Sequence, residues 1–362
     1  MARNVNIDIL RFVCALLVVH LHSIKFTTRV GAWAWLCVEV FFMITGYLML
    51  SSILNKKPRT TAEFMKAKIK TYLPYLIAAE LISITAYCVV YTDLHGWGFS
   101  EYFFAFSQSV WEVLGLQMIG YPAWCGTGTA WYISSMIFGL AIIYPVLKKW
   151  PEFATVGAPV VSVMIYGYLY YAYGTICVID TWVGFVTAGL LRGIAGICLG
   201  TFIYVCADRL RKVKLTRAGT NLLTFVEVYI FASVFLAMVF IDADTKNFFN
   251  GYELTILTLL WIGLIITFSE VSRTHIRTEN SLVQRISGAL GTGSLILYLN
   301  HNYVYFIVGM LYPEMDPTMQ IMYSAVFIVV ACILCYVVTK LLVRLARVVR
   351  DVLIEPSSES VQ

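Results

Sequence analysis

The chain has 362 residues, 60% of them hydrophobic and 13% charged, with a mean hydropathy of +0.78 and a formal net charge of +5. A soluble domain carries about 25% charged residues, so an ordinary globular enzyme is excluded. The surplus of positive charge lies where a membrane topology places it, which leaves a nucleic-acid partner without support.

Apolar runs of spanning length, about 17–25 residues, fall near 8–26, 33–53, 72–91, 129–147, 156–175, 182–206, 221–241, 252–269, 290–311 and 319–343. They predict an all-α polytopic membrane helix bundle of about ten transmembrane helices, one domain over 1–350 followed by a short disordered tail, 351–362. The first run has no small-residue cleavage site and carries polar groups, so a cleaved signal peptide is not expected. Lys and Arg set the orientation. With both termini in the cytoplasm, all of the 26 Lys and Arg except Lys25, Arg29, Lys246 and Arg192 fall inward. The basic stretches are "NKKPRTTAEFMKAKIK" (55–70), "KKW" (148–150), "DRLRKVKLTR" (208–217), "SRTHIRTENSLVQR" (272–285) and "RLARVVR" (344–350). The expected location is a cell (plasma or inner) membrane, crossed many times.

The first span, "DILRFVCALLVVHLHS" (8–23), places an Asp, an Arg and two His in an apolar helix. A charge at mid-bilayer costs about 2.5–3.5 kcal/mol on insertion scales, so such groups mark function by default. Arg11 and His22 are eleven steps apart, a net rotation of about 20° on a helix. Asp8, Arg11, Ala15, Val18 and His22 therefore form one stripe, and His20 falls on the opposite face. The second span adds Glu39. The outer segment 93–128, rich in Trp, Phe and Tyr, reads as an interfacial aromatic belt or re-entrant helix; the rival reading is a stacking platform for sugar rings near Trp131. Arg192, inside the sixth span, requires an anionic partner, either Glu39 or a bound phosphate. In the ninth span Ser294, Tyr298, His301 and Tyr305 recur at i, i+4, i+7 and i+11, with Asn300 beside them. That stripe is read equally as helix–helix hydrogen bonding. The nine cysteines, among them the pair in "CILC" (332–335), read as small packing residues. No His/Cys cluster suggests a metal, no Gly-rich loop a nucleotide, and no internal repeat a typical inverted-repeat transporter.

In these residues the chain resembles acyltransferase family 3, multi-pass membrane O-acyltransferases that modify glycans. The family's first helix carries an Arg, ten residues and a His, matched by Arg11 and His22 but not by His20. "VEVFFMITGYLML" (38–50) is similar to its acid, Phe-Phe, Ser-Gly-Tyr helix, with Glu39 as the acid and Thr45 in place of Ser. "TAWYISSMIFGLAIIYP" (129–145) matches its Trp helix ending in Tyr-Pro. "LRGIAGICLG" (191–200) is similar to its Arg and Gly-rich helix, and "SLILYLNH" (294–301) to its Ser…Tyr-Leu-x-His segment. The resemblance runs from about residue 5 to about 310. Two features depart from the pattern. In "KAKIKTYLP" (66–74) the family's Arg-x-x-Arg becomes Lys68 and Thr71, with Lys70 one residue off, and Met136 replaces a common Glu.

The resemblance implies transfer of an acyl group, acetyl first, from acyl-coenzyme A in the cytoplasm to a hydroxyl of an extracytoplasmic or lipid-linked glycan. Acetyl-coenzyme A is then a co-substrate, with no bound cofactor and no metal, and the bilayer and the saccharide are the other partners. Taking the hydroxyl proton requires a base, and a neutral buried imidazole suits that task. His22 and His301 are the candidates, with Glu39 orienting His22 as a carboxylate orients a catalytic imidazole. Arg11, Lys68, Lys70 and Arg192 are the candidate donor-binding groups. Lys66 lies in the same basic loop, whose charge any inward loop would share. Asp8, Tyr298 and Trp131 are expected to support the site. The rival from another class is a transporter of a small molecule or glycan whose pathway the polar stripes line.

Overall fold

The computed structural model describes residues 4–23, 32–56, 59–121, 126–240 and 252–353. Arg3, Lys25, Arg29, Lys57 and Lys246, which enter the topology, lie outside the described residues, as do 122–125 and the tail from residue 354. The described elements are α1 (Val5–Ser23), α2 (Leu36–Asn55), α3 (Thr61–His95), α4 (Phe99–Val113), α5 (Trp131–Lys149), α6 (Gly157–Tyr173), β1 (Trp182–Val183), β2 (Val186–Thr187), α7 (Ala188–Arg211), α8 (Arg217–Phe240), α9 (Tyr252–Ser269), α10 (Ser281–Leu311) and α11 (Pro317–Leu353).

Among the described residues nine helices are long and apolar enough to cross a membrane. The predicted fifth span is α6, whose 17 residues rise about 26 Å, slightly under the hydrocarbon thickness. The predicted sixth span begins too early. Residues 182–187 form a two-stranded antiparallel hairpin turning at Gly184, whose φ is +62°, and the helix starts only after Thr187 caps the Leu190 amide. Apolar residues alone did not distinguish that hairpin from a helix. The aromatic outer segment contains α4, about 22 Å long and too short to span. It buries Ala105, Ser109 and Glu112 and exposes Phe99, Phe103, Phe104 and Phe106.

Local signals set the helix starts. Thr60 and Glu63 make a reciprocal capping box at α3, and the Asn280 side chain caps α10 through the Leu282 amide. Pro74 and Pro145 lie inside α3 and α5, tolerated where neighbouring helices satisfy the freed backbone groups. Beside the first of them, Thr339 of α11 donates to the Pro74 carbonyl at 3.4 Å.

The basic connections are joined to one another at one end of the bundle. Tyr144 donates to the Arg59 carbonyl at 3.2 Å, Arg211 to that of Phe268 at 2.7 Å, and Asn6 brackets residues 274–276. At the opposite end Glu253 accepts the Ile176 amide and the Thr175 hydroxyl, both at 2.9 Å. The helices with most of their surface covered are α2 and α7. They touch backbone to backbone, because a Cβ on Gly46 would strike the Ile197 carbonyl and one on Gly200 the Met43 carbonyl. Small residues that let helix backbones meet are the usual device of membrane helix packing. Backbone cannot move aside as a flexible side chain can, so Gly200→Val is expected to cost about 1–3 kcal/mol or more. Thermal unfolding in detergent measures it, with Gly167→Ala, where a Cβ meets open space, as the silent control.

Candidate functional site

The site is built on the pairing of α1 with α10. Both helices run from the basic end toward the opposite end, and their polar residues are spaced alike. Ser287 donates to Asp8 Oδ2 at 2.6 Å, and fourteen residues further along each helix His301 Nε2 lies 3.1 Å from His22 Nδ1. Between them Ala15 and Ser294 are also buried. Fourteen residues are two heptads, the repeat that keeps one seam of two parallel helices in register.

The carbonyls around the histidines fix their protons. His22 Nδ1 lies 2.9 Å from the Val18 carbonyl and His301 Nδ1 lies 3.1 Å from that of Leu297. A carbonyl only accepts, so both Nδ1 atoms carry hydrogen. His301 Nε2 is then an acceptor, His22 Nδ1–H is shared between it and Val18, and His22 Nε2 is the ring's basic nitrogen. The rings meet edge to face, 4.7 Å between centroids and 65° between planes. His301 is fully buried, with the Tyr298 ring 5.9 Å away. His22 stands in the last turn of α1. His20 falls elsewhere, and among the described residues its buried Nε2 has no hydrogen-bond partner.

Arg11 lies eleven residues before His22, about 16 Å along the axis toward the basic end. The Tyr72 hydroxyl and Lys68 lie within electrostatic reach of it and of each other. Lys70 does not join them. Two residues apart on a helix point to nearly opposite faces, and Lys70 is exposed while Lys68 sits over the Phe64 ring. Tyr72, one turn beyond Lys68, is the member of this group that the spacing argument missed. Tyr132 joins the two ends of the track, within electrostatic reach of Tyr72, Arg11 and Glu39 and 5.5 Å from the Tyr298 ring.

Glu39 pairs with Arg192, one of the two anionic partners open to that arginine, and not with His22. Glu39 Oε1 accepts from Arg192 Nε at 2.8 Å and Nη2 at 2.6 Å, and Oε2 accepts the Tyr166 hydroxyl at 2.5 Å. With both oxygens engaged, Glu39 orients Arg192 rather than His22. Arg192 is 1% exposed and lies between the Trp35 and Trp131 rings, at 5.3 and 5.0 Å, so it is a buried ion pair near the starts of α2 and α7 and not a cation open to a donor phosphate. Trp131 supports that pair. Nothing in the sequence near Tyr166 signalled its part.

A family model described as an acyltransferase domain, that of acyltransferase family 3, matches residues 4–340. No curated protein and no solved structure matches the chain. The chain belongs to acyltransferase family 3.

Removing one partner of a buried ion pair leaves the other charge uncompensated, at about 3–5 kcal/mol. Glu39→Ala is therefore expected to lower the thermal midpoint sharply, and Glu39→Leu combined with Arg192→Met to cost less than the two single changes together. Thermal unfolding of the four proteins in detergent checks this.

Proposed function

We propose that this member of acyltransferase family 3 moves an acyl group, acetyl in the first instance, from acyl-coenzyme A to a hydroxyl of a glycan or lipid-linked saccharide in a cell membrane. The observation that carries the reading is the His22–His301 contact, 3.1 Å long and seated at the far end of a stripe that begins at Arg11. Positive charge in the connections assigns the Arg11 end to the cytoplasm, where the donor is made. Arg11 and Lys68 would hold its phosphates, Arg as a planar fork and Lys as a point charge. The extended pantetheine arm would carry the thioester along the interval of about 16 Å to His22.

In the reaction His22 Nε2 takes the proton of the acceptor hydroxyl as its oxygen attacks the thioester carbon. The C–O bond forms, the C–S bond breaks, and His22 returns the proton to the departing sulfur. The shared Nδ1–H holds the ring in the tautomer this requires and lets His301 stabilise the imidazolium that forms, the role an orienting group plays behind a catalytic imidazole. His301 is on this reading a positioning residue. The acceptor reaches His22 from the opposite end of the bundle, beside the aromatic surface of α4.

His22→Ala is expected to lower acyl transfer by about 10²–10⁴-fold, the usual worth of a general base, in protein that inserts and unfolds normally. His20→Ala should leave the rate within a few-fold. Radiolabelled acyl-coenzyme A and membranes holding each variant give the comparison; substrate flux without donor turnover would instead support a transporter. Arg11→Ala should raise the KM for acyl-coenzyme A by about tenfold or more and spare the acceptor KM, since a hydrogen bond to a charged group is worth about 1.5–3 kcal/mol. Steady-state kinetics varying each substrate separately measures it.

A further inference from the structure

Glu80 of α3 and Glu112 of α4 are each 1% exposed, and neither belongs to the track described above. Glu112 is well supplied with donors: Oε2 accepts the Gly126 amide at 2.8 Å and Oε1 the Thr127 hydroxyl at 2.9 Å. Glu80 is not. Among the described residues neither of its oxygens meets a donor at hydrogen-bond geometry, although the Thr127 hydroxyl and amide lie near it. What it meets is the Glu112 carboxyl, and both groups crowd Gly126, where a Cβ would collide with Glu80 Oε2. Two carboxylates in contact, out of water, cannot both be ionised. A buried carboxylate without a donor is costly, whereas a protonated one is itself a donor.

We propose that Glu80 and Glu112 share one proton, Glu80 donating and Glu112 accepting, and that this bond latches residues 126–129 onto α10 within one turn of His301. The segment runs directly from the acceptor to the site. Gly126 and Thr127 hang from Glu112, Gly128 packs with φ +70° against the Asn302 side chain, and the Thr129 hydroxyl donates to the Tyr298 carbonyl at 3.0 Å. Glu80 and His301 lie nineteen and twenty residues past the starts of their parallel helices, hence at matching depth. The two glutamates are positioning residues. The latch stands apart from acyl transfer, and only its consequence for rate rests on the proposed function.

Titratable neighbours do not supply an alternative partner. Tyr303 of α10 lies within electrostatic reach of Glu80 and of Tyr87 of α3 and Cys332 and Cys335 of α11, and none of these four side chains is a cation. Glu101, the other acid of α4, is held in its own capping box, and α5 has no charged residue before Lys148. His301 faces His22, and Lys340 of α11 sits over Tyr336. Burial pushes the Glu112 carboxyl up, against the lowering effect of hydrogen bonds from Glu80, Thr127 and the Gly126 amide. A carboxyl pair whose proton is held more tightly in the folded state than in the unfolded one stabilises at low pH, and that stability is lost as pH rises through the folded value. Loss of the proton to a base in the medium leaves two facing carboxylates, and the segment comes away from α10.

Hydrogen–deuterium exchange of the full chain in detergent reads the latch directly. With rates corrected for intrinsic exchange, protection at Gly126 and Thr127 in the wild type is expected to fall by about tenfold or more between about pH 5 and about pH 9. Glu80→Gln, whose amide donates to Glu112 without titrating, should stay protected throughout. Glu112→Ala should be unprotected throughout. Wild-type protection that ignores pH, or a Glu80→Gln protein that loses protection as the wild type does, would overturn the proposal. Should Glu112→Ala fail to insert, the wild-type and Glu80→Gln series decide between them.

Discussion

A hydrogen shared between two imidazoles tolerates little error in the helices that carry it. His22 and His301 are 3.1 Å apart only because α1 and α10 stay in register from Asp8–Ser287 onward, fourteen residues on both sides. A slip of one residue would displace one ring by about 1.5 Å along the axis and about 100° around it, and the bond would be lost. The carbonyls of Val18 and Leu297 add the second constraint, since each holds a ring by the nitrogen one turn behind it. From these two facts follow the tautomers, the basic nitrogen and the line from Arg11 to His22.

The rest of the bundle keeps that pair in place and keeps charge away from it. The Glu39–Arg192 pair, closed over by Trp35, Trp131 and Tyr166, ties the start of α2 to that of α7. A buried pair of this kind is weak evidence for stability on its own, because desolvation offsets most of its attraction. Its value here is geometric: it fixes the faces of α2 and α7, whose backbones touch at Gly46 and Gly200. Phe41, Phe42 and Tyr132 then fill the space between that pair and Tyr298.

Much of this was legible in the sequence. Length and hydropathy are local properties, so the spans could be read, and a helical wheel placed Arg11 and His22 on one stripe and His20 on another. The family membership followed from motifs spread along that order. Partner choice was less legible, because a wheel states which way a side chain points and not which helix it meets. Of the two places open to Glu39, beside Arg192 or behind His22, the wheel could not choose, and Glu80 and Glu112 gave no sign of each other. The hairpin at 182–187 was lost to an apolar run, and Lys70 to counting charges without their faces. One signal was present and unread: the two-heptad interval from Asp8 to His22 repeats from Ser287 to His301, which names the partner helix from spacing alone.

The account rests on a single track joining the cationic group at Arg11, Lys68 and Tyr72 to the paired imidazoles. A cryo-electron-microscopy structure with a non-transferable thioether analogue of acetyl-coenzyme A tests it most directly. The account predicts phosphates against Arg11 and Lys68, an extended arm along α1, and the acyl end beside His22 Nε2. Phosphates bound at the opposite end of the bundle, or an acyl end distant from both imidazoles, would contradict it.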